Sequence, residues 1–378
     1  MSEPWPVLLM ARELALGGSE RQLCEFAKAM DRSRFEPHVA CFRGDGFRGD
    51  ELRAAGVPIL ELPVGSFLSP SALAGARRLG RYLDRHRIRI VHAFDLPLTI
   101  FGVPVARAFR TPLVLSSQRS HRDLAPGLRR HMRRLADFVV DGLVVNCLSV
   151  ARQLVAEEHV PAGLIHLCYN GVDVTRFYPG ERCWPPALQG ASLVIGTLCA
   201  FRKEKALPTL LEAFARVRSL RPHLKLLLVG DGPLRKDLQE RSARLGLAED
   251  CHFEPATADV ARWFHATDIF VLPSVSEALS NSLMEAMACG CCAVASRVGG
   301  NPELVTHERT GLLFTAGDVA GLAACLQRLI EQPGLAQELA AAGAAHLRER
   351  FSTQVAARRM EEIYTGLIGS ADAGRQLI

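Results

Sequence analysis

Residues 270–290 read FVLPSVSEALSNSLMEAMACG. An apolar run that stops at Pro273-Ser274 has the form of a buried strand, and the loop after it carries Glu277. Ser280 or Asn281 suits the cap of a helix that Gly290 closes. Glu277 and Glu285 would then stand at the carboxyl edge of a sheet, one in the loop and one near the first turn of the helix. Carboxylates placed there can accept hydrogen bonds from sugar hydroxyls, while a helix N-terminus formed by Asn281, Ser282 and Leu283 attracts a phosphate. By spacing alone, Glu285 reads equally well as a capping acid and Glu277 as a solvated loop residue.

Outward from this stretch, short apolar runs alternate with helix-period segments, the pattern of parallel sheets covered by helices on both faces. One series places strands at 7–10, 37–42, 58–62, 89–93, 113–116 and 142–146; a second places them at 193–197, 224–229, 251–254, 269–272 and 293–296. Pro179, Gly180, Pro185, Pro186 and Gly190 interrupt all periodicity between the two. The expected class is α/β, with two doubly wound Rossmann-like domains at 1–180 and 191–352 joined by a linker at 181–190. A final helix in 353–378 has no strand after it and is free to cross back to the first domain. Two such domains in series would put their strand ends on either side of one cleft, which suits a two-substrate transfer.

The length of 378 residues fits two cored domains, and 48% hydrophobic with 22% charged residues is ordinary globular composition. Aromatics at 6% argue against base-stacking platforms, so no nucleic-acid partner is expected. From Arg77 to Arg134 there are 14 Arg against Asp84, Asp95 and Asp123, a surface for anionic lipid or another polyanion. The chain uses 40 Arg and 5 Lys, so the same stretch also reads as a compositional habit. Residues 127–135, with Arg129, Arg130, Arg133 and Arg134, have the form of a cationic helix for a bilayer face. The 11 Cys are scattered among apolar neighbours and suggest a reducing compartment, hence a cytoplasmic location, with the membrane's cytoplasmic face as an option. Cys289 and Cys292 form one C-x-x-C without a partner pair, which reads as a helix end entering a strand rather than a metal site. The opening MSEPWPVLLMARELALGGSE has the form of neither a signal peptide nor a membrane span.

The 270–290 stretch closely resembles the signature of retaining glycosyltransferases of family 4, P-S-x-x-E-G-x-x-x-x-x-x-E-A-M-A-x-G, which closes the nucleotide-sugar site of a GT-B fold. Further marks extend the resemblance over nearly the whole chain: Gly17 to Arg21, Asn170 to Asp173, Arg202 to Lys205, Gly230-Asp231-Gly232, Gly299 to Leu304 and Thr310-Gly311-Leu312. The resemblance implies that Lys205 and Arg202 neutralise the leaving diphosphate, that Glu285 binds the ribose and that Glu277 binds donor hydroxyls. Backbone N–H groups at the Gly17-Gly18 turn can approach donor phosphates or a negatively charged acceptor, those at the Gly299-Gly300 turn can meet the donor sugar or phosphate, and the resemblance implies that the turn with Gly230 and Gly232 lies near the base and ribose. Three positions depart from the family: Ala200 replaces the usual Arg, Ala278 the usual Gly, and Gln118 with Arg119 stands where a His contacts the transferred sugar. Arg119, His92 and His121 are the candidates on the sugar or acceptor side, although a strand-end His such as His92 is commonly structural.

The implied activity is sugar transfer, with retention, from a UDP- or GDP-type donor to a glycan or lipid-linked acceptor in cell-surface glycan, polysaccharide or glycolipid synthesis. No cofactor or metal is expected, and no Asp-x-Asp pair is present to hold one. The competing reading is a catalytically degenerate GT-B protein that binds a nucleotide or partner and regulates.

Overall fold

The structure, a computed structural model, describes residues 3–15, 17–120, 137–181 and 184–375, with side chains as far as residue 369. His121 and the expected cationic helix at 127–135 lie outside the described residues. The chain divides into two compact units, one of Met1–Gly171 with Thr353–Ile378 and one of Val172–Ser352.

The division corrects the boundaries expected at 180 and 190. Residues from Val172 onward are held by the second unit: Val172 N–H donates to Phe351 O at 2.8 Å, Arg176 Nη2 to Ala258 O at 2.7 Å, and His265 Nε2 meets Tyr178 O at 2.9 Å. Proline and glycine there mark a bound, irregular segment rather than a free linker.

Strands of the first unit are β1 (Trp5–Met10), β2 (Phe35–Cys41), β3 (Ile59–Glu61), β4 (Ile90–Ala93), β5 (Leu113–Gln118), β6 (Gly142–Val145) and β7 (Ile165–Leu167). They pair in parallel in the order β3-β2-β1-β4-β5-β6-β7. In the second unit β8 (Leu193–Leu198), β9 (Leu224–Val229), β10 (Cys251–Glu254), β11 (Ile269–Leu272), β12 (Cys292–Ser296) and β13 (Leu312–Phe314) run parallel in the order β10-β9-β8-β11-β12-β13. Both sheets are doubly wound. Each central strand is buried on both faces, which is why the sequence shows apolar runs instead of alternation. The sequence reading lacked β7 and β13, each of three residues at the edge of its sheet.

Helices cover the sheets through periodic apolar faces. In the helix Leu207–Val217, Leu207, Leu210, Leu211, Phe214 and Val217 are buried in the second core, each worth about 1.5–3 kcal/mol on transfer from water. In the helix Thr353–Arg375, Ala357, Met360, Ile363, Tyr364 and Ile368 belong to the first unit's core.

Tyr364 also explains His92. The ring of His92 is wholly buried, with Nδ1 2.8 Å from Tyr364 Oη, Nε2 2.9 Å from Ser117 Oγ and its face against Phe94 at 4.6 Å. Burial, and then Arg119, hold its pKa well below the ordinary value, so the ring is neutral. Both nitrogens are occupied within the core. His92 is therefore corrected from a sugar-side candidate to a packing residue.

No disulfide joins the described cysteines, and burial pushes the Cys289 and Cys292 thiols up to about 12, far from a reactive thiolate. No group of three His, Cys, Asp or Glu able to hold a metal ion occurs among the described residues. No helix among them is long and apolar enough to cross a membrane.

Candidate active site

The second sheet reverses its strand order between β8 and β11, and open α/β sheets take ligands outside the carboxyl ends of strands at such a reversal. The two segments that leave the sheet there are 199–206 and 273–280. They are joined directly: Val275 N–H donates to Glu204 O at 2.8 Å, and Lys205 Nζ donates to Glu277 Oε1 at 2.5 Å. Ser274 Oγ donates to the same Glu277 oxygen at 2.7 Å. Lys205 ends a single 3-10 turn, Lys203–Lys205, and Ala206 at φ 47° then redirects the chain into the helix Leu207–Val217.

Neither member of the pair is a solvated charge. The side chains of Lys205 and Glu277 are 18% and 9% exposed. Burial works against the Lys205 ammonium, but the charge and hydrogen bond of Glu277 outweigh it and raise the Lys205 pKa above the ordinary lysine value. Lys205 is thus a fixed cation at neutral pH. Arg202 and Lys203, in contrast, are exposed at the start of the same turn. Arg202 is near the pair in sequence but makes no ion pair among the described residues.

Glu285 lies in the second turn of the helix Asn281–Ala288 and is 4% exposed. It is not a capping acid. Ser280 caps this helix, its Oγ accepting from Leu283 N–H at 3.4 Å and lying 3.2 Å from Ser282 Oγ. Asn281, Ser282 and Leu283 form the first turn, as the sequence suggested, but the Leu283 amide is engaged by this cap.

Two further turns hold the Lys205–Glu277 segments in place. Gly299 adopts φ 53°, and a Cβ there would stand 1.7 Å from Glu277 O; Gly300 N–H donates to Ala278 O at 2.7 Å. Gly230 adopts φ 145°, and a Cβ there would stand 1.9 Å from Cys199 O. Close backbone approach, which only glycine allows, therefore fixes the loop bearing Glu277 from one side and the loop bearing Lys205 from the other. Phe201 N–H donates to Asp231 O at 2.8 Å, so Gly232 sits on the same turn. The helix beyond begins at Arg235 with Leu234 as its N-cap.

In the first unit Gly17 is the N-cap of the helix Gly18–Ala29, and Glu20 in its first turn comes within 2.1 Å of where a Gly17 Cβ would stand. Burial, then Asp95 and Glu13, raise the Glu20 pKa above the ordinary carboxylate value. Asp95, which the sequence reading counted only as an acid of the Arg-rich stretch, takes Arg12 N–H at 2.5 Å and caps the helix Leu96–Ala108 through Leu98 N–H. An Asp directly after an apolar strand and before Leu-Pro is an N-cap signal that was available. Arg119 lies against the Phe94 ring at 4.8 Å with Nη1 2.6 Å from Asn170 Oδ1, and burial lowers its pKa to about 10. Its Nε is buried without a hydrogen-bond partner among the described residues. The second missed residue is Ser274, fully buried and bonded to Glu277.

With this geometry in place, known families provide an independent comparison. The family profile described as glycosyl transferases group 1 matches residues 192–332, and that described as Glycosyltransferase Family 4 matches residues 16–176. The chain belongs to the group 1, family 4 glycosyltransferases. A D-inositol 3-phosphate glycosyltransferase of Streptomyces scabiei is 30% identical over 282 residues, covering 70% of this chain and 63% of the relative. Its counterpart in Thermobispora bispora is 31% identical over 60% of this chain and 56% of its own length. The matched segments thus span between about half and two thirds of these curated relatives. The lipopolysaccharide core biosynthesis glycosyltransferase LpsD of Rhizobium meliloti is 36% identical over 43% of this chain and 46% of its own. Among solved structures, Anabaena HepE in complex with UDP and glucose has a TM-score of 0.82 at 21% identity, covering 95% of this chain and 99% of its own. A Rickettsia africae glycosyltransferase has a TM-score of 0.83 at 18% identity over 97% and 99% of the two chains. Such likeness shows the fold, the two Rossmann-like domains of GT-B proteins.

Proposed function

We propose that this family 4 member is a retaining glycosyltransferase that moves a sugar from a nucleoside diphosphate sugar, UDP- or GDP-linked, to a hydroxyl of a glycan or lipid-linked acceptor. The observation that carries this reading is the half-buried Lys205–Glu277 ion pair at the strand reversal of the second sheet, with buried Glu285 on the adjoining helix. Relatives that act on inositol phosphate and on lipopolysaccharide core, and a structural neighbour that holds UDP and glucose, support a nucleotide-sugar donor and a cell-surface glycan or glycolipid product.

In the proposed reaction the bond from the sugar's anomeric carbon to the diphosphate oxygen breaks, and the bond to the acceptor oxygen forms on the same face. The acceptor proton passes to an oxygen of the departing diphosphate. Lys205, a cation at neutral pH, opposes the negative charge that grows on the diphosphate, and the exposed Arg202, three residues earlier, adds to it. Glu277, whose carboxylate is oriented by Lys205 and Ser274, receives donor hydroxyls, and Glu285 receives the ribose. We propose no resident metal for this step. The protein's contribution is fixed charge and geometry.

Thermal unfolding against a panel of nucleotide sugars identifies the donor, since a ligand that binds only the folded form stabilises it by about 2.7 kcal/mol at one hundred times its dissociation constant. Incubating that donor with acceptor and following the anomeric proton by NMR then tests the reaction. Transfer with the donor's own anomeric configuration is expected, without loss of rate in a chelator. Inverted product would refute retention, and tight binding without any turnover would favour the degenerate reading suggested by Ala200 and Ala278.

A further inference from the structure

In the first unit the helix Pro70–Arg85 buries Gly75, Leu79, Gly80 and Leu83 and turns its opposite face to solvent. Arg77, Arg78, Arg81 and Arg85 are all exposed there, within an arc of about 100° at the ordinary helical repeat. The helix contains one acid, Asp84. None of the four guanidinium groups is in an ion pair among the described residues. Arg78, Arg81 and Arg85, with Leu60, Tyr82 and Asp84, also line a depression of about 550 Å³.

An apolar tip adjoins this cationic face. Leu68 is 99% exposed, Phe67 42%, and Leu73, in the first helical turn, 56%. Scattered apolar residues on a surface are ordinary, but these three lie within seven positions of one another in sequence, directly before the arginines. An arginine face alone suits any polyanion. Together with fully exposed leucine it suits a surface that offers phosphates beside hydrocarbon, which is the headgroup and acyl boundary of a bilayer. Nucleic acid supplies the first and lacks the second.

We propose that residues 67–85 dock this protein on an anionic bilayer, with Phe67, Leu68 and Leu73 entering the interface and Arg77, Arg78, Arg81 and Arg85 engaging lipid phosphates. The surface lies in the first unit and uses no residue of the Lys205–Glu277 site. It holds whether or not the chain transfers a sugar, and a membrane-bound acceptor gives it a purpose.

Co-sedimentation of the full chain with phosphatidylcholine vesicles, with and without about one third phosphatidylglycerol, tests the docking. Partition onto the anionic vesicles is expected to be at least about tenfold higher and to fall steeply with salt. The combined change Arg77→Gln, Arg78→Gln, Arg81→Gln, Arg85→Gln removes that preference, and Leu68→Asp lowers partition severalfold while leaving its salt dependence. These positions are exposed, so thermal unfolding of each variant should match the parent. Equal partition onto neutral and anionic vesicles overturns the proposal. So does unchanged partition in the arginine variant, or loss that follows changes at Arg129, Arg130, Arg133 and Arg134 alone. Unchanged partition in Leu68→Asp with equal capture by duplex DNA assigns the face to another polyanion and also overturns it.

Discussion

Lys205→Ala is expected to lower kcat by about 10³-fold, the scale on which removing one preorganised donor to a developing anion slows a reaction. The loss falls on kcat more than on donor binding, because negative charge on the diphosphate is greatest after the glycosidic bond has broken. A second effect accompanies it. Glu277 would keep its half-buried position without the cation that now sits 2.5 Å away, at a cost on the order of 2 kcal/mol to the second unit. Lys205→Ala, Glu277→Gln removes both charges and is expected to recover most of that stability and none of the rate. Steady-state kinetics beside urea unfolding separates the two. A single variant with undiminished kcat would remove Lys205 from the chemistry.

Gly299→Ala carries the other large effect. Its Cβ would be placed 1.7 Å from the Glu277 carbonyl oxygen at φ 53°, so the loop bearing Glu277 must move. A left-handed alanine alone costs about 1 kcal/mol. Gly317 supplies the control, since it adopts φ 78° with nothing within 4 Å of an added Cβ. Gly317→Ala is expected to cost only that left-handed penalty and leave turnover intact. Gly299→Ala is expected to cost about 3 kcal/mol and to reduce kcat/KM by more than tenfold through displacement of Glu277. Equal stabilities and equal rates for the two variants would show that the close approach does not matter.

The site was partly legible in the sequence. A proline-serine strand end, a loop acid and a capped helix in 270–290 place Glu277 and Glu285 by local rules, and the structure keeps that order. What spacing left open was whether these acids face water, since burial depends on which other segment leaves the sheet beside them. That neighbour is 199–206, about seventy residues earlier, and only the reversal between β8 and β11 joins the two. His92 was opaque for the same reason. Its partner Tyr364 lies 272 residues away on the last helix, so a strand-end histidine looks available until that helix is seated. The domain boundary was misplaced because proline and glycine report irregular backbone, and an irregular segment can be tightly bound.

The most direct measurement is a crystal structure of the full chain with the nucleotide sugar that most raises its thermal stability. The account predicts the diphosphate within hydrogen-bonding distance of Lys205 Nζ, the ribose on Glu285 and sugar hydroxyls on Glu277. A donor lodged anywhere else, with the Lys205–Glu277 pair untouched, would contradict it.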